Sequence, residues 1–170
     1  CLCIGSDNDD ETVAICAYGM ETLLYTIIST TGLLLVGHIC NRLIESVVIV
    51  GIYYTNQTIG GGFHARSHIR CFLVMILCLT IALLISSLSI AKPGLVFLCL
   101  FSAITLIKHP LVLHDNKRYL LVHRRKLVSK SIISVAILAM VAILTIFLQW
   151  RYASSITIGL GWSAISRIIA

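Results

Sequence analysis

Apolar positions along this chain come in long blocks separated by short polar punctuation. Six runs stand out: about Met20 to Val36, Leu43 to Tyr54, about Phe72 to Ala91, Gly94 to Ile107, Ile132 to Trp150 and Ala153 to Ile169. None alternates with the two-residue period of a half-buried strand, so each reads as a helix. At 1.5 Å per residue, a run of about 17–20 residues reaches roughly 26–30 Å, the thickness of a bilayer core. The second and fourth runs are shorter. They are expected either to be half-embedded or to extend into flanking polar residues that line protein instead of lipid. The connections alternate in length. Gly37–Arg42, Lys92-Pro93 and Arg151-Tyr152 are tight, with Pro93-Gly94 punctuating the middle one. The connections at residues 55–71 and 108–131 are long. The pattern predicts an all-α fold: one polytopic membrane helical bundle over residues 1–170, with about six transmembrane or partly embedded helices in three hairpins. Residues 1–12 read as a polar N-terminal tail. No signal-peptide pattern is visible at the start.

Composition strengthens the membrane reading. The chain has 170 residues, 58% hydrophobic and 12% charged, with a mean hydropathy of +0.99. Soluble domains carry about 45–50% apolar and about 25% charged residues. A soluble fold of this size leaves about a third of its surface exposed and has nowhere to put so much apolar area.

Charge gives the bundle a direction. Lys and Arg number 13 against 7 acids, a net of +6. With six spans, both long loops and both termini share one side. That side holds ten bases: Arg66, Arg70, Lys108, Lys117, Arg118, Arg124, Arg125, Lys126, Lys130 and Arg167. The other holds Arg42, Lys92 and Arg151. The bias assigns the base-rich side to the cytoplasm of a multi-pass cell-membrane protein. Nothing resembles a soluble nucleic-acid module, so nucleic acid is not an expected partner. Trp150, Tyr152 and Trp162 near span ends suit interfacial anchoring. The seven cysteines are odd in number and irregularly spaced, which argues against a disulfide framework.

The densest polar information is Gly60-Gly61-Gly62-Phe63-His64-Ala65-Arg66-Ser67-His68-Ile69-Arg70-Cys71, at the entrance to the third run. A thiol beside an imidazole is a nucleophile–base pair. Arg66 and Arg70 supply positive potential that favours the thiolate. The backbone N–H groups of Gly61 and Gly62 are candidate oxyanion donors. Spacing favours His68, three residues before Cys71, as the base on a continuous helix. His64, seven residues before Cys71, lies about 10 Å away along such a helix and serves only if the glycine backbone folds back. Two other readings stand beside catalysis. His64, His68 and Cys71 line one helix face and are zinc-ligand types, although no acid or fourth ligand is near. A small transporter is the other, weakened by the absence of charge in the middles of runs three to six. No cofactor or metal is called for by the cysteine chemistry.

Four features resemble the AgrB (accessory gene regulator B) family. They are Tyr18-Gly19-Met20-Glu21 opening run one, Gly-Gly-Phe-His-Ala at 61–65 with Cys71 seven residues after His64, His109-Pro110 followed by Asn116-Lys117-Arg118 and Arg124-Arg125-Lys126, and the rhythm of the apolar runs. The resemblance implies a membrane cysteine endopeptidase that cleaves the C-terminal part of an AgrD-like quorum-sensing pre-peptide and cyclises it to a thiolactone or lactone. Cys71 would be the nucleophile and His64, not His68, its base. The family commonly carries an Arg shortly before the glycines, where this chain reads Asn56-Gln57-Thr58. The third catalytic element therefore stays open among Gln57, Arg66, His68, Arg70 and Glu45, the last an acid inside the short second run. Lys117, Arg118, Arg124, Arg125 and Lys126 are expected to bind an acidic part of the pre-peptide, anionic lipid, or both. Pairing into a homodimer is a further expectation, general to small membrane bundles.

Overall fold

The structure is a computed structural model, and it describes residues 9–61, 68–88, 90–111 and 124–169. Among these every regular element is a helix: α1 (Asp9–Ile39), α2 (Leu43–Gly60), α3 (His68–Ser87), α4 (Lys92–Lys108), α5 (Arg124–Phe147) and α6 (Ala153–Ile169). They follow one another in the order that the apolar runs predict, and the first and last sequential pairs pack as hairpins.

The helix ends differ from the apolar runs in an instructive way. α1 begins at Asp9, inside the polar opening segment, because nothing between Asp9 and Gly19 breaks a helix. α2 runs through Asn56-Gln57-Thr58 to Gly60, so the loop assigned to 55–71 is shorter than expected. Its polar side chains stay helical by bonding their own backbone. Thr55 Oγ1 donates to Gly51 O at 2.8 Å, Asn56 Nδ2 to Ile52 O at 3.1 Å, and Thr58 Oγ1 to Thr55 O at 3.1 Å. α5 likewise starts at Arg124, so part of the basic loop assigned to 108–131 is its first turns. α4 starts with Pro93 near its N-terminus, where the missing N–H has no partner to lose.

α6 is the centre of the bundle. Nearly all of it is buried, from Ala153 to Arg167, and it packs on α2, α3, α4 and α5. α1 covers α2 and α3, while α5 covers α4 and α2. The middle sequential pair diverges: α3 turns to α1, α2 and α6, and α4 to α5 and α6. Lipid tails are as apolar as leucine, so helices in a membrane associate through close packing of small residues instead of a hydrophobic drive. The α2–α6 contact shows this. A Cβ on Gly159 would stand 3.2 Å from Ile52 Cβ and 3.4 Å from the Ile49 backbone. Two of the hydroxyls that α6 buries bond inside the helix, Thr157 to Ala153 O and Ser163 to Gly159 O, both at 2.9 Å, whereas Ser155 Oγ has no partner among the described residues.

The core divides into two large clusters and a small third one of Leu95, Ile146 and Ala153. Leu33, Ile49, Val50, Tyr53, Leu79 and Trp162 join α1, α2, α3 and α6. Ile52, Cys99, Leu106, Val135, Ala142 and Leu160 join α2, α4, α5 and α6. The odd-numbered helices α1, α3 and α5 turn large apolar side chains outward, among them Ile27, Leu77 and Met140. These three contain the stretches long and apolar enough to cross a membrane: Gly19–Ile39, Ile69–Ser87 and Lys126–Phe147. α2 and α6 lie between them, whereas α4 packs on α5 and α6 and also turns Phe97, Phe101 and Ile104 outward.

Candidate active site

Cys71 sits in the first turn of α3, three residues after its opening residue His68. Two contacts hold that turn. The ring of Phe72 lies over Gly32 of α1, with Cζ 2.6 Å from where a Cβ would be. Cys71, half-buried, packs against the core cluster containing Tyr53 and Met75. Tyr25 of α1 and Tyr53 of α2 are close enough to Cys71 to interact with it electrostatically, and Tyr25 reaches the backbone of Phe72. Tyr53 stacks on Trp162 with ring centroids 4.4 Å apart and hydrogen bonds to Ser166. Tyr54 accepts from Thr30 Oγ1 at 3.3 Å. The thiol therefore lies where α1, α2 and α3 meet, on a wall of tyrosines. A helix's first turn presents unpaired N–H groups and the positive end of its dipole.

The other predicted residues divide by position. Arg70 is exposed one residue before Cys71. Gln57 is half-buried one turn from the end of α2, and its carbonyl accepts the Gly61 N–H at 2.9 Å. Gly61 has φ 71° and ψ −177°, a conformation essentially reserved for glycine. Its N–H is committed to that cap, so it is not free to serve an oxyanion. Gly62, His64 and Arg66 lie outside the described residues, as do Lys117, Arg118 and the His68 side chain. Arg124, Arg125 and Lys126 open α5, and the Lys126 side chain is exposed. Glu45 is in the first turn of α2, twelve residues before Gln57 and hence about 18 Å along the axis. The structure does not bring it to Cys71. Its neighbour Arg42 binds the far end of α3, with Nη1 donating to Leu83 O at 2.6 Å and Ser86 Oγ at 3.1 Å.

The described bases segregate by end. Arg70, Lys108, Lys126, Lys130 and Arg167 share the end that holds Cys71, whereas Arg42, Lys92 and Arg151 share the opposite one. An apolar groove of about 470 Å³ opens at that opposite end, between α4 and α5, lined by Lys92, Val96, Phe97 and Phe147. No Cys, Ser, Thr or His lines it. Among the described residues no three His, Cys, Asp or Glu side chains converge as metal ligands. The His64–His68–Cys71 alternative falls partly outside those residues.

Arg167 belongs to this end of the molecule and was not among the predicted site residues. It is 4% exposed. Nη1 donates to Leu106 O at 3.3 Å, His109 O at 3.1 Å, Pro110 O at 3.3 Å and Ser131 Oγ at 3.1 Å. Nη2 donates to Asn56 O at 3.0 Å. One guanidinium thus ties the C-terminal ends of α2 and α4 to α5 and α6. Helix C-termini carry partial negative charge, and two of them face the guanidinium here. Gly60 lies against the guanidinium, where a Cβ would overlap it.

The family model described as Accessory gene regulator B matches residues 4–167. No curated protein and no solved structure matches the chain.

Proposed function

The chain belongs to the AgrB family, whose members process autoinducing pre-peptides, and on that premise we propose that it is a membrane-embedded cysteine endopeptidase acting on an AgrD-like pre-peptide. The observation that carries this reading is Cys71, seated in the first turn of α3 at the base-rich end of an apolar bundle. His64 accepts the thiol proton, and the thiolate attacks a backbone carbonyl in the C-terminal part of the pre-peptide. The C–N bond breaks, the imidazolium returns its proton to the leaving amine, and a thioester to Cys71 remains. A thiol or hydroxyl of the same peptide then attacks that thioester. The Cys71 thiol is released and the peptide closes as a thiolactone or lactone. The tyrosine and apolar walls around Cys71 limit water, which would otherwise hydrolyse the thioester.

The six helices lie in the membrane with the Cys71 end facing the cytoplasm. Lys126 and the other bases of the 108–131 segment meet an acidic part of the pre-peptide and anionic lipid. Gly62 is the remaining oxyanion candidate, and Gln57, Arg66, His68 and Arg70 are the remaining candidates for orienting the imidazole.

The test is pre-peptide processing by the purified protein in liposomes. Cys71→Ala, Cys71→Ser and His64→Ala should each lower it by at least a hundredfold while thermal unfolding is unchanged. Full cleavage by Cys71→Ala would sink the mechanism. Loss in His68→Ala with activity kept in His64→Ala would transfer the base to His68.

A further inference from the structure

Arg167 is the only described charged side chain buried in this bundle, and its five bonds go to four carbonyls and one hydroxyl. A buried cation that meets no carboxylate among the described residues is a poor device for stability alone, because an apolar side chain would fill the space without the desolvation cost. The junction also keeps two buried polar atoms unpaired, Asn56 Oδ1 and Arg167 Nε. What the guanidinium does fix is position. It grips the last turns of α2 through Asn56 O and lies against Gly60. The next residue, Gly61, ends the helix in its glycine-only conformation. The same element reaches the nucleophile from the other side, since Ser166 bonds to Tyr53 and Tyr53 interacts with Cys71.

We propose that Arg167 is a positioning residue for the catalytic pair: it sets the end of α2, from which the segment carrying His64 departs, relative to Cys71 at the start of α3. This rests on the cysteine-peptidase reading above. Lysine does not substitute. Its single ammonium carries three donors on one point, whereas the planar guanidinium spans acceptors from several elements at once. Gly60 is part of the device. Its φ is not positive, so glycine is required there by the guanidinium and not by the backbone. Alanine is the better helix former at such a position, so any loss in Gly60→Ala is assigned to displacement of Arg167.

The experiment follows alkylation of Cys71 by iodoacetamide against pH, resolved from the other cysteines by peptide mass spectrometry, beside pre-peptide processing in the same liposomes. Processing is read as separate kcat and KM, and alkylation as the Cys71 rate relative to exposed Cys40 in the same sample at each pH. Arg167→Lys and Gly60→Ala should each lower kcat about tenfold or more and slow Cys71 alkylation several-fold relative to Cys40, with KM within about threefold and helix content retained. Gly60→Ala added to Arg167→Gln should cost nothing beyond Arg167→Gln alone, because the methyl then has no guanidinium to displace. If Arg167→Lys fails to fold, Gly60→Ala and the double variant carry the test. A wild-type kcat and Cys71 alkylation rate in the folded single variants overturn the proposal and leave the peptidase reading standing. Processing intact in Cys71→Ala overturns the peptidase reading and the proposal with it.

Discussion

At the scale of single residues, the chemistry of this chain is set by what a position tolerates. Gly61 shows it most directly. Its φ of 71° and ψ of −177° lie in a region that costs other residues of order 1–3 kcal/mol. Gly61→Ala should therefore lower stability by about that amount, read as a fall in thermal midpoint in detergent. An unchanged midpoint would mean that the cap rearranges freely. Glu45 makes the opposite point. As an intramembrane acid it was a reasonable candidate from sequence, yet it belongs to the wrong end of α2. Glu45→Gln should keep processing within about threefold of wild type in the liposome assay, and a loss comparable to His64→Ala would contradict its placement. Arg167 was visible as a base near the end of the last apolar run and nothing more. A base in that position looks the same in sequence whether it extends to water or turns inward. Only the convergence of Asn56, Leu106, His109 and Ser131, separated along the chain, distinguishes the two.

At the scale of elements, the apolar runs located all six helices but not their ends. Asn56-Gln57-Thr58 and Arg124-Arg125-Lys126 read as loop because polar residues in an apolar chain suggest water. In the structure the first group is helical because Asn56 is buried against the Arg167 junction. Polarity there reports a protein interior, which hydropathy alone does not separate from solvent. The same distinction explains α6. Its Ser, Thr and Gly residues weaken its appearance as a lipid-facing span, and they are what allows it to be surrounded by four helices. Two substitutions separate these roles. Gly159→Val puts a branched side chain against the Ile49 backbone, and overpacking of this kind costs about 1–3 kcal/mol. Ser163→Ala removes a buried hydroxyl that bonds only to its own helix at Gly159 O and should cost no more than about 1 kcal/mol. Thermal unfolding of the two purified variants in detergent checks the pair. Equal effects would mean that α6 is held by hydroxyl bonding instead of close backbone approach.

At the scale of the whole molecule, the sparse charge and the apolar surface are two parts of one arrangement. The odd-numbered helices turn apolar side chains outward, and the described bases collect at the end that carries Cys71. If that end faces the cytoplasm, as we propose from the bias of Lys and Arg, the Cys71 thiol meets a pre-peptide made inside the cell. The molecule holds its own reporter of orientation. Cys40 is exposed in the turn between α1 and α2, beside Arg42 and so at the opposite end from Cys71. A membrane-impermeant maleimide added to intact cells should label Cys40, and Cys40→Ser should remove that labelling. In the Cys40→Ser background, Lys92→Cys should restore labelling from outside, whereas Lys126→Cys, exposed at the other end of the bundle, should react only after the membrane is opened. Labelling of Lys126→Cys but not Lys92→Cys in intact cells would reverse the orientation. It would also place the thiol away from any cytoplasmic substrate, so the topology measurement bears on the proposed chemistry as directly as a substitution at Cys71.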